Sequence, residues 1–337
     1  MTTLHARVTD PWTVDDDYPD RGSAADKLEF LLRYAVLAPS SHNTQPWRFR
    51  PEGARVALLG DRARWLRVAD PDQRELEVSL GCALENLRIA ARHFGEELEV
   101  EVLAQPQPDG SVALLALAPP VGGRPRGEEH GLFEAIRDRR TNRRVYRDEP
   151  LAAEDFVHLC DAGEEGAGVF LTGDAAIRRR VDELSVRADV LQFADPAWRE
   201  ELGHWIGAGA FEMPWLVARM AKLAVTWLDL GRGTSRRDGE LLDCAPAVGV
   251  VATPGADDLP ARLRAGGVFE RLWLRATTLG LALQPMNQIL QVAELKRAVA
   301  DLLPEGSGTP QVAFRVGHAE AVDAPSPRRP VEDVLVG

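Results

Sequence analysis

The chain has 337 residues, 45% of them hydrophobic and 27% charged, which is enough to bury a substantial core and long enough for two domain-sized units or one fused pair. Its formal net charge of −12 argues against general attraction to phosphate backbones or anionic lipid surfaces, so neither nucleic acid nor membrane is expected as a partner. Cys82, Cys160 and Cys244 stand far apart without CxxC or Cys/His spacing, so no disulfide framework and no zinc site is expected, and a cytoplasmic setting fits.

Met1 to Ser23 carries Asp15, Asp16, Asp17 and Asp20 where a signal peptide needs a basic start and an apolar core, so residues 1–24 read as a polar arm. From Ala25 to Ala38, Leu28, Leu31, Leu32, Ala35 and Val36 follow helical spacing, and Pro39, Ser40 and Ser41 end the helix. Trp47 and Phe49, the Glu52-Gly53 turn and the run Val56 to Leu59 predict paired strands. A long amphipathic helix follows over about Gln73 to Phe94, then strands over Leu98 to Leu103 and Val112 to Ala118. Pro119 to Glu129, rich in Pro, Gly and charge, is the expected boundary between a first half, 25–122, and a second, 128–337.

In the second half the pattern predicts helices over Leu132 to Arg139 and Glu154 to Asp161, a strand near Val169 and a helix from Asp174 to about Gln192. Residues 196–243 form a Trp-rich insertion holding Trp198, Trp205, Trp215 and Trp227. Its most apolar stretch, Leu216 to Leu230, is broken by Arg219, Lys222 and Asp229, and no run approaches the ~20 apolar residues that span a bilayer. A buried strand over Ala247 to Thr253, helices over about Asp258 to Leu279 and Val292 to Leu303, and a strand over Gln311 to Val316 complete an α+β pattern with a mixed sheet flanked by helices.

Four segments carry candidate chemistry. Ala38-Pro39-Ser40-Ser41-His42-Asn43-Thr44-Gln45-Pro46-Trp47 crowds hydroxyl, amide and aromatic groups into one loop able to hydrogen-bond a planar heterocycle, although its residues are also ordinary turn formers. Arg139-Arg140-Thr141-Asn142-Arg143-Arg144 groups guanidiniums beside a hydroxyl near a helix end, with Arg139 and Arg143 expected on one helical face; such a cluster suits a phosphomonoester or forms a solvated basic face. Gln284-Pro285-Met286-Asn287-Gln288 is a third segment, and Gly317-His318 followed by Pro325-Ser326-Pro327-Arg328-Arg329-Pro330 a fourth.

These segments, in this order, resemble the nitroreductase superfamily: the first its APSSxNxQPW loop, the second its RRSxRxF phosphate motif with Thr141 in place of Ser, the fourth its C-terminal GY...PxPRRP. The similarity is greatest to the Acg-like branch, in which two nitroreductase-like halves are fused, and it covers about Leu28 to Leu335 apart from the insertion. The resemblance implies FMN as cofactor, with Pro39, Ser40, Ser41, Asn43 and Gln45 at the ring, Arg139, Arg140, Thr141, Arg143, Arg328 and Arg329 at the phosphate, and Pro285, Met286, Asn287 and Gln288 at the flavin N5 edge. Family members often carry Glu-Gly where this chain has Asn287-Gln288.

The motifs are divided between the halves. The first keeps the Ser/Asn loop but is acidic over Val14 to Asp20, where a phosphate motif would lie; the second has the arginines but reads Gly163-Glu164-Glu165-Gly166-Ala167-Gly168 where a second loop would stand. One FMN per chain at the interface of the halves, in a monomer made self-sufficient by fusion, is therefore expected. No GxGxxG fingerprint is present, so NAD(P)H would be a transient donor and a small molecule (a nitro compound, quinone or similar) the electron acceptor. Chemistry resides on the flavin, no side chain is assigned a catalytic role, and no metal is expected. The alternative expectation is an FMN-sequestering protein with little turnover, in which His204, Trp205, Phe211, Met213 and Trp215 either cover the flavin as a lid or pack between the insertion helices.

Overall fold

The computed structural model describes residues 10–14, 17–118, 127–210, 221 and 245–337. Most of the expected boundary segment, Cys244, and the part of the insertion holding Phe211, Met213, Trp215 and Trp227 lie outside the described residues.

The first repeat opens with α1 (Ala24–Ala35). Its N-terminus is fixed by a capping box in which the Ser23 hydroxyl and the Asp26 carboxylate each satisfy the other's backbone N–H. Strands β1 (Trp47–Glu52) and β2 (Arg55–Gly60) form a hairpin across Gly53, whose φ of 67° suits glycine. Helix α2 (Arg74–His93) follows, started by the Asp70 carboxylate, which accepts from the N–H groups of Glu75 and Leu76. Strands β3 (Glu97–Val102) and β4 (Ser111–Ala118) complete an antiparallel sheet of order β1-β2-β4-β3.

The second repeat contains α3 (Glu128–Asp138), α4 (Ala153–Cys160), β5 (Gly168–Thr172), α5 (Ala175–Ala194) and α6 (Pro196–Gly207). After β6 (Ala247–Thr253) comes α7 (Leu259–Thr278), then β7 (Ala282–Pro285), the single turn α8 (Gln288–Gln291), α9 (Ala293–Ala300) and β8 (Thr309–Gly317). Its antiparallel sheet has the order β5-β6-β8-β7, the same permutation as the first. Both sheets place a 20-residue helix between their second and third strands, α2 in one and α7 in the other.

The two long helices pack face to face and reveal the approximate twofold relation directly. Gly81 and Gly266 each occupy the eighth position of their helix; a Cβ on Gly81 would lie 2.1 Å from the Leu263 carbonyl oxygen, and one on Gly266 would lie 2.0 Å from that of Val78. Glycine at both positions lets the backbones touch. One continuous apolar core runs from Leu28 and Trp47 through Leu80 and Leu84 to Trp273 and Phe314, so the repeats share an interior.

The sheet ladders are antiparallel, and the mixed character expected of them is confined to isolated parallel bridges at Phe49–Leu335 and Thr141–Leu283. The first carries the C-terminal tail onto the sheet of the first repeat, with Phe49 N donating to the Val334 carbonyl at 2.8 Å and Val336 N to that of Phe49 at 2.9 Å. The N-terminal arm, polar in composition, is docked by its apolar residues: Trp12 and Val14 pack on the core, and Tyr18 stacks on Phe94 at 4.5 Å. Strand β7 and helix α8 stand where only a turn was expected. Among the described residues no helix is long and apolar enough to cross a membrane.

Candidate functional site

A cavity with an empty volume of about 790 Å³, mouth included, opens between the repeats, within the range of small-molecule sites. The first repeat supplies Pro39, Ser40, Ser41 and His42 from the loop after α1, together with Glu75, Val78, Ser79 and Cys82 from α2. The second supplies Thr141 and Arg143, Phe269 and Trp273 from α7, and Pro285, Asn287, Gln288 and Gln291 near α8. Eight of the residues singled out from sequence thus meet around one space: Pro39, Ser40, Ser41, Thr141, Arg143, Pro285, Asn287 and Gln288.

The loop is held in a conformation that ordinary residues seldom adopt. His42, Asn43 and Gln45 have φ of 49°, 51° and 51°, and Gln73, just before α2, has 61°; these are the positive-φ non-glycine residues among those described. Asn43 and Gln45 do not line the cavity. Asn43 Nδ2 donates to the carbonyls of Ala210 at 2.8 Å and Pro327 at 2.9 Å, while its Oδ1 accepts from Arg328 Nη1 at 2.9 Å. Gln45 donates its backbone N–H to Ser40 Oγ at 2.8 Å and accepts the Arg329 N–H on Oε1 at 2.7 Å. These bonds stitch the C-terminal tail to the loop and hold its left-handed backbone in place.

The arginine segment departs from expectation in one respect. Helix α3 stops at Asp138, and Arg139 turns to extended backbone, because Thr141 pairs with Leu283 and Asn142 N donates to the Leu283 carbonyl at 3.1 Å. Arg139 and Arg143 therefore do not share a helical face. Arg143 reaches the cavity; Arg139 is buried, 3.3 Å from the Glu270 carboxylate, 4.5 Å over the Trp273 ring, and donates to the Leu37 carbonyl at 2.9 Å. Arg328 donates to the same carbonyl at 3.2 Å. Arg140 donates to the carbonyls of Arg137 and Arg139, and Arg329 to that of Gln45 at 3.3 Å.

The turn after β7 is tied to its sheet. Met286 is buried against the apolar cluster of α5, α8 and α9 and donates its N–H to the Ala313 carbonyl at 2.7 Å, and Asn287 Oδ1 accepts the Ala313 N–H at 3.1 Å. Asn287 thus anchors the turn, and both it and its neighbour Gln288 line the cavity.

Charge is distributed unevenly around this space. Burial, and then the nearby Arg139 and Arg140 charges, push the Arg328 guanidinium well below the usual arginine range, opposed by Glu270. Burial also pushes Glu270 up to about 7 against the pull of Arg139. His42 is pushed down to about 4 by burial and by Arg143, so it is neutral at pH 7. The Cys82 thiol is pushed well above its usual value, first by burial and then by Glu270, and its Sγ lies 3.3 Å from the Gly266 carbonyl; it stays protonated. Sequence reading missed Glu75, Ser79, Cys82, Phe269, Trp273 and Glu270. They lie on the long helices beside the apolar stripe, and nothing local distinguishes the turns of a helix that face a cavity.

An α+β protein built as a tandem repeat, with a cavity lined by both repeats and arginines gathered near it, is the class these features define. The chain is 31% identical over 335 residues, 96% of its own length and 94% of the other's, to the Mycobacterium tuberculosis protein named "Putative NAD(P)H nitroreductase Rv3131". It is 28% identical over 341 residues to "Putative NAD(P)H nitroreductase acg" of the same organism, covering 94% of this chain and 97% of that one. The chain belongs to the nitroreductase family. No protein-family profile matches it. Similar solved structures include the FMN-dependent nitroreductase NfnB from Mycobacterium smegmatis in complex with NADPH, at 18% identity and TM-score 0.40, covering 60% of this chain and 96% of that one. A nitroreductase with bound FMN from Desulfitobacterium hafniense has 17% identity and TM-score 0.40, covering 61% and 97%.

Proposed function

We propose that the chain is an FMN-dependent oxidoreductase with a single flavin site between its repeats. The observation that carries this reading is the joining of the Pro39-Ser40-Ser41 loop of one repeat to Thr141, Arg143 and the Pro285–Gln288 turn of the other around one cavity. The donor set fits the cofactor. Phe269 and Trp273 offer apolar wall to a planar ring, the loop offers hydroxyls, and Arg143 lines the cavity, while Arg140 and Arg328 lie close together outside its lining and would add positive charge for a phosphomonoester to neutralise.

When bound, FMN supplies the two-electron chemistry, accepting hydride from NAD(P)H and yielding it to a nitro compound, quinone or similar small acceptor. The chain's own residues bind and orient. Neutral His42 and protonated Cys82 leave the ring's surroundings free of a thiolate or an imidazolium at pH 7. The Glu75 carboxylate is held by Arg74 at 2.9 Å and by Gln291 Nε2 at 3.0 Å, which fixes α2 to α8 across the cavity wall.

A single site per chain is also favoured by what stands at the counterpart position. Arg264 occupies in α7 the place Ser79 occupies in α2, and its guanidinium crowds Gly166, where a Cβ would come within 2.5 Å of Nη1, and lies 3.9 Å from Glu164. The counterpart of a cavity-lining serine is thus an exposed arginine, beside a segment that carries no Ser/Asn loop. With both halves of the site in one polypeptide, a monomer suffices.

Sequestration without turnover is the second reading. Helix α6 of the insertion packs Trp198 and Trp205 on Leu66 and Ala69, brings Trp198 to 6.4 Å from His42, and fixes the loop through the bond from Asn43 to Ala210. The deciding experiment is to load the purified protein with FMN, measure flavin per chain, and add NADH or NADPH without oxygen. Rapid bleaching of about one flavin per chain supports the reductase, a flavin that stays oxidised supports sequestration, and failure to bind FMN overturns both.

A further inference from the structure

The indole of Trp12, in the N-terminal arm, lies against two of the arginines just described. The Arg140 guanidinium carbon is 4.7 Å from its ring centroid and that of Arg328 is 4.9 Å away. The indole is itself fixed: Nε1 donates to the Ser326 carbonyl at 2.9 Å, two residues before Arg328, and the Trp12 N–H donates to Asp10 Oδ1 at 3.1 Å. The ring is partly buried and packs on the main core. Arg140 belongs to the segment after α3 and Arg328 to the C-terminal tail, so this one ring joins three stretches of chain that are remote in sequence.

Two guanidiniums brought together repel each other, and burial worsens the conflict because water no longer screens it. An aromatic face relieves part of that cost, since its negative quadrupole attracts cations and its flat surface holds the planar fork in a fixed orientation. We propose that Trp12 is a positioning residue, a stacking platform that holds Arg140 and Arg328 together so that they bind the phosphate of the cofactor. The inference rests on the FMN reading above and adds to it a role for the arm. The arm carries no recognisable ligand motif, and its composition alone reads as a polar arm.

The test compares FMN with riboflavin, which carries the same ring without the phosphate. Dissociation constants for both are measured by flavin fluorescence quenching for the wild-type chain and for Trp12→Phe, Trp12→Leu and Trp12→Ala, and melting temperatures are recorded without flavin. Loss of the stacking face should weaken FMN roughly tenfold in Trp12→Leu and Trp12→Ala, leave riboflavin within about twofold of wild type, and spare most FMN affinity in Trp12→Phe, which keeps a ring but not the N–H. Should the alanine chain fail to fold, the Phe and Leu pair, which keep apolar bulk, decides the matter alone.

Equal losses for FMN and riboflavin would overturn the proposal, because the arm would then act through the fold. Unchanged or tighter FMN binding in Trp12→Leu would overturn it too, the latter by making Trp12 a plug over the arginines. A wild-type chain that binds riboflavin as tightly as FMN, or binds neither, would remove the phosphate reading itself and the proposal with it.

Discussion

Arg139 meets two demands that pull apart. It sits in the sequence where a phosphate ligand is expected, and in the fold it is 2% exposed with the fully buried Glu270 as its counter-ion. Glu270 is pushed up to about 7 from an ordinary 4.5, so folding favours its protonated form; that contribution to stability is complete below about pH 4.5 and is lost as pH rises through 7. Removing Arg139 takes away the charge that opposes the rise, so in Arg139→Met the loss extends to higher pH. The stability deficit of this variant should be small at pH 5.5 and grow toward pH 8, approaching the ~3–5 kcal/mol cost of a buried charge without a partner. Adding Glu270→Gln should flatten the profile. Urea unfolding at several pH values checks this, and a deficit independent of pH would refute it.

At the scale of elements, the crossing of α2 and α7 depends on two glycines related by the internal repeat. Gly81→Ala and Gly266→Ala would each drive a methyl into the carbonyl of the facing helix, and since backbone cannot rotate away, each should cost about 1–3 kcal/mol or more. The two losses should be similar and far from additive, because one separation of the helices relieves both clashes; thermal denaturation of both single variants and the double would reveal it. Neither glycine is conspicuous in the sequence. Periodicity made α2, α7, the β1–β2 hairpin and β6 legible, since each has a long apolar stripe or a continuous apolar run with turn residues at its ends. It could not show β7, only four residues long, nor that α3 stops before Arg139, because that ending is enforced by the bridge from Thr141 to Leu283. The candidate site was legible where a motif is contiguous. It was hidden where a wall is assembled from stripes on two helices far apart in the chain, as with Ser79, Cys82 and Trp273.

For the whole molecule, the internal repeat turns the number of sites into a question about single positions. The counterpart positions on α2 and α7 differ: Ser79 lines the cavity, whereas Arg264 is exposed beside Gly166. Duplication within one chain frees each counterpart position to change alone, which a symmetric homodimer cannot do. Placing the long cation in the cavity should close it, so Ser79→Arg should lose FMN binding while keeping a cooperative melt, since the side chain has the cavity to enter. The converse change, Arg264→Ser, restores the serine at the counterpart position but supplies neither the Ser/Asn loop nor a second arginine segment, so it should leave binding at one FMN per chain. Flavin titration with sedimentation analysis tests both. Two flavins bound by Arg264→Ser would mean that Arg264 alone suppresses a second competent site, and undiminished binding by Ser79→Arg would place the flavin outside this cavity.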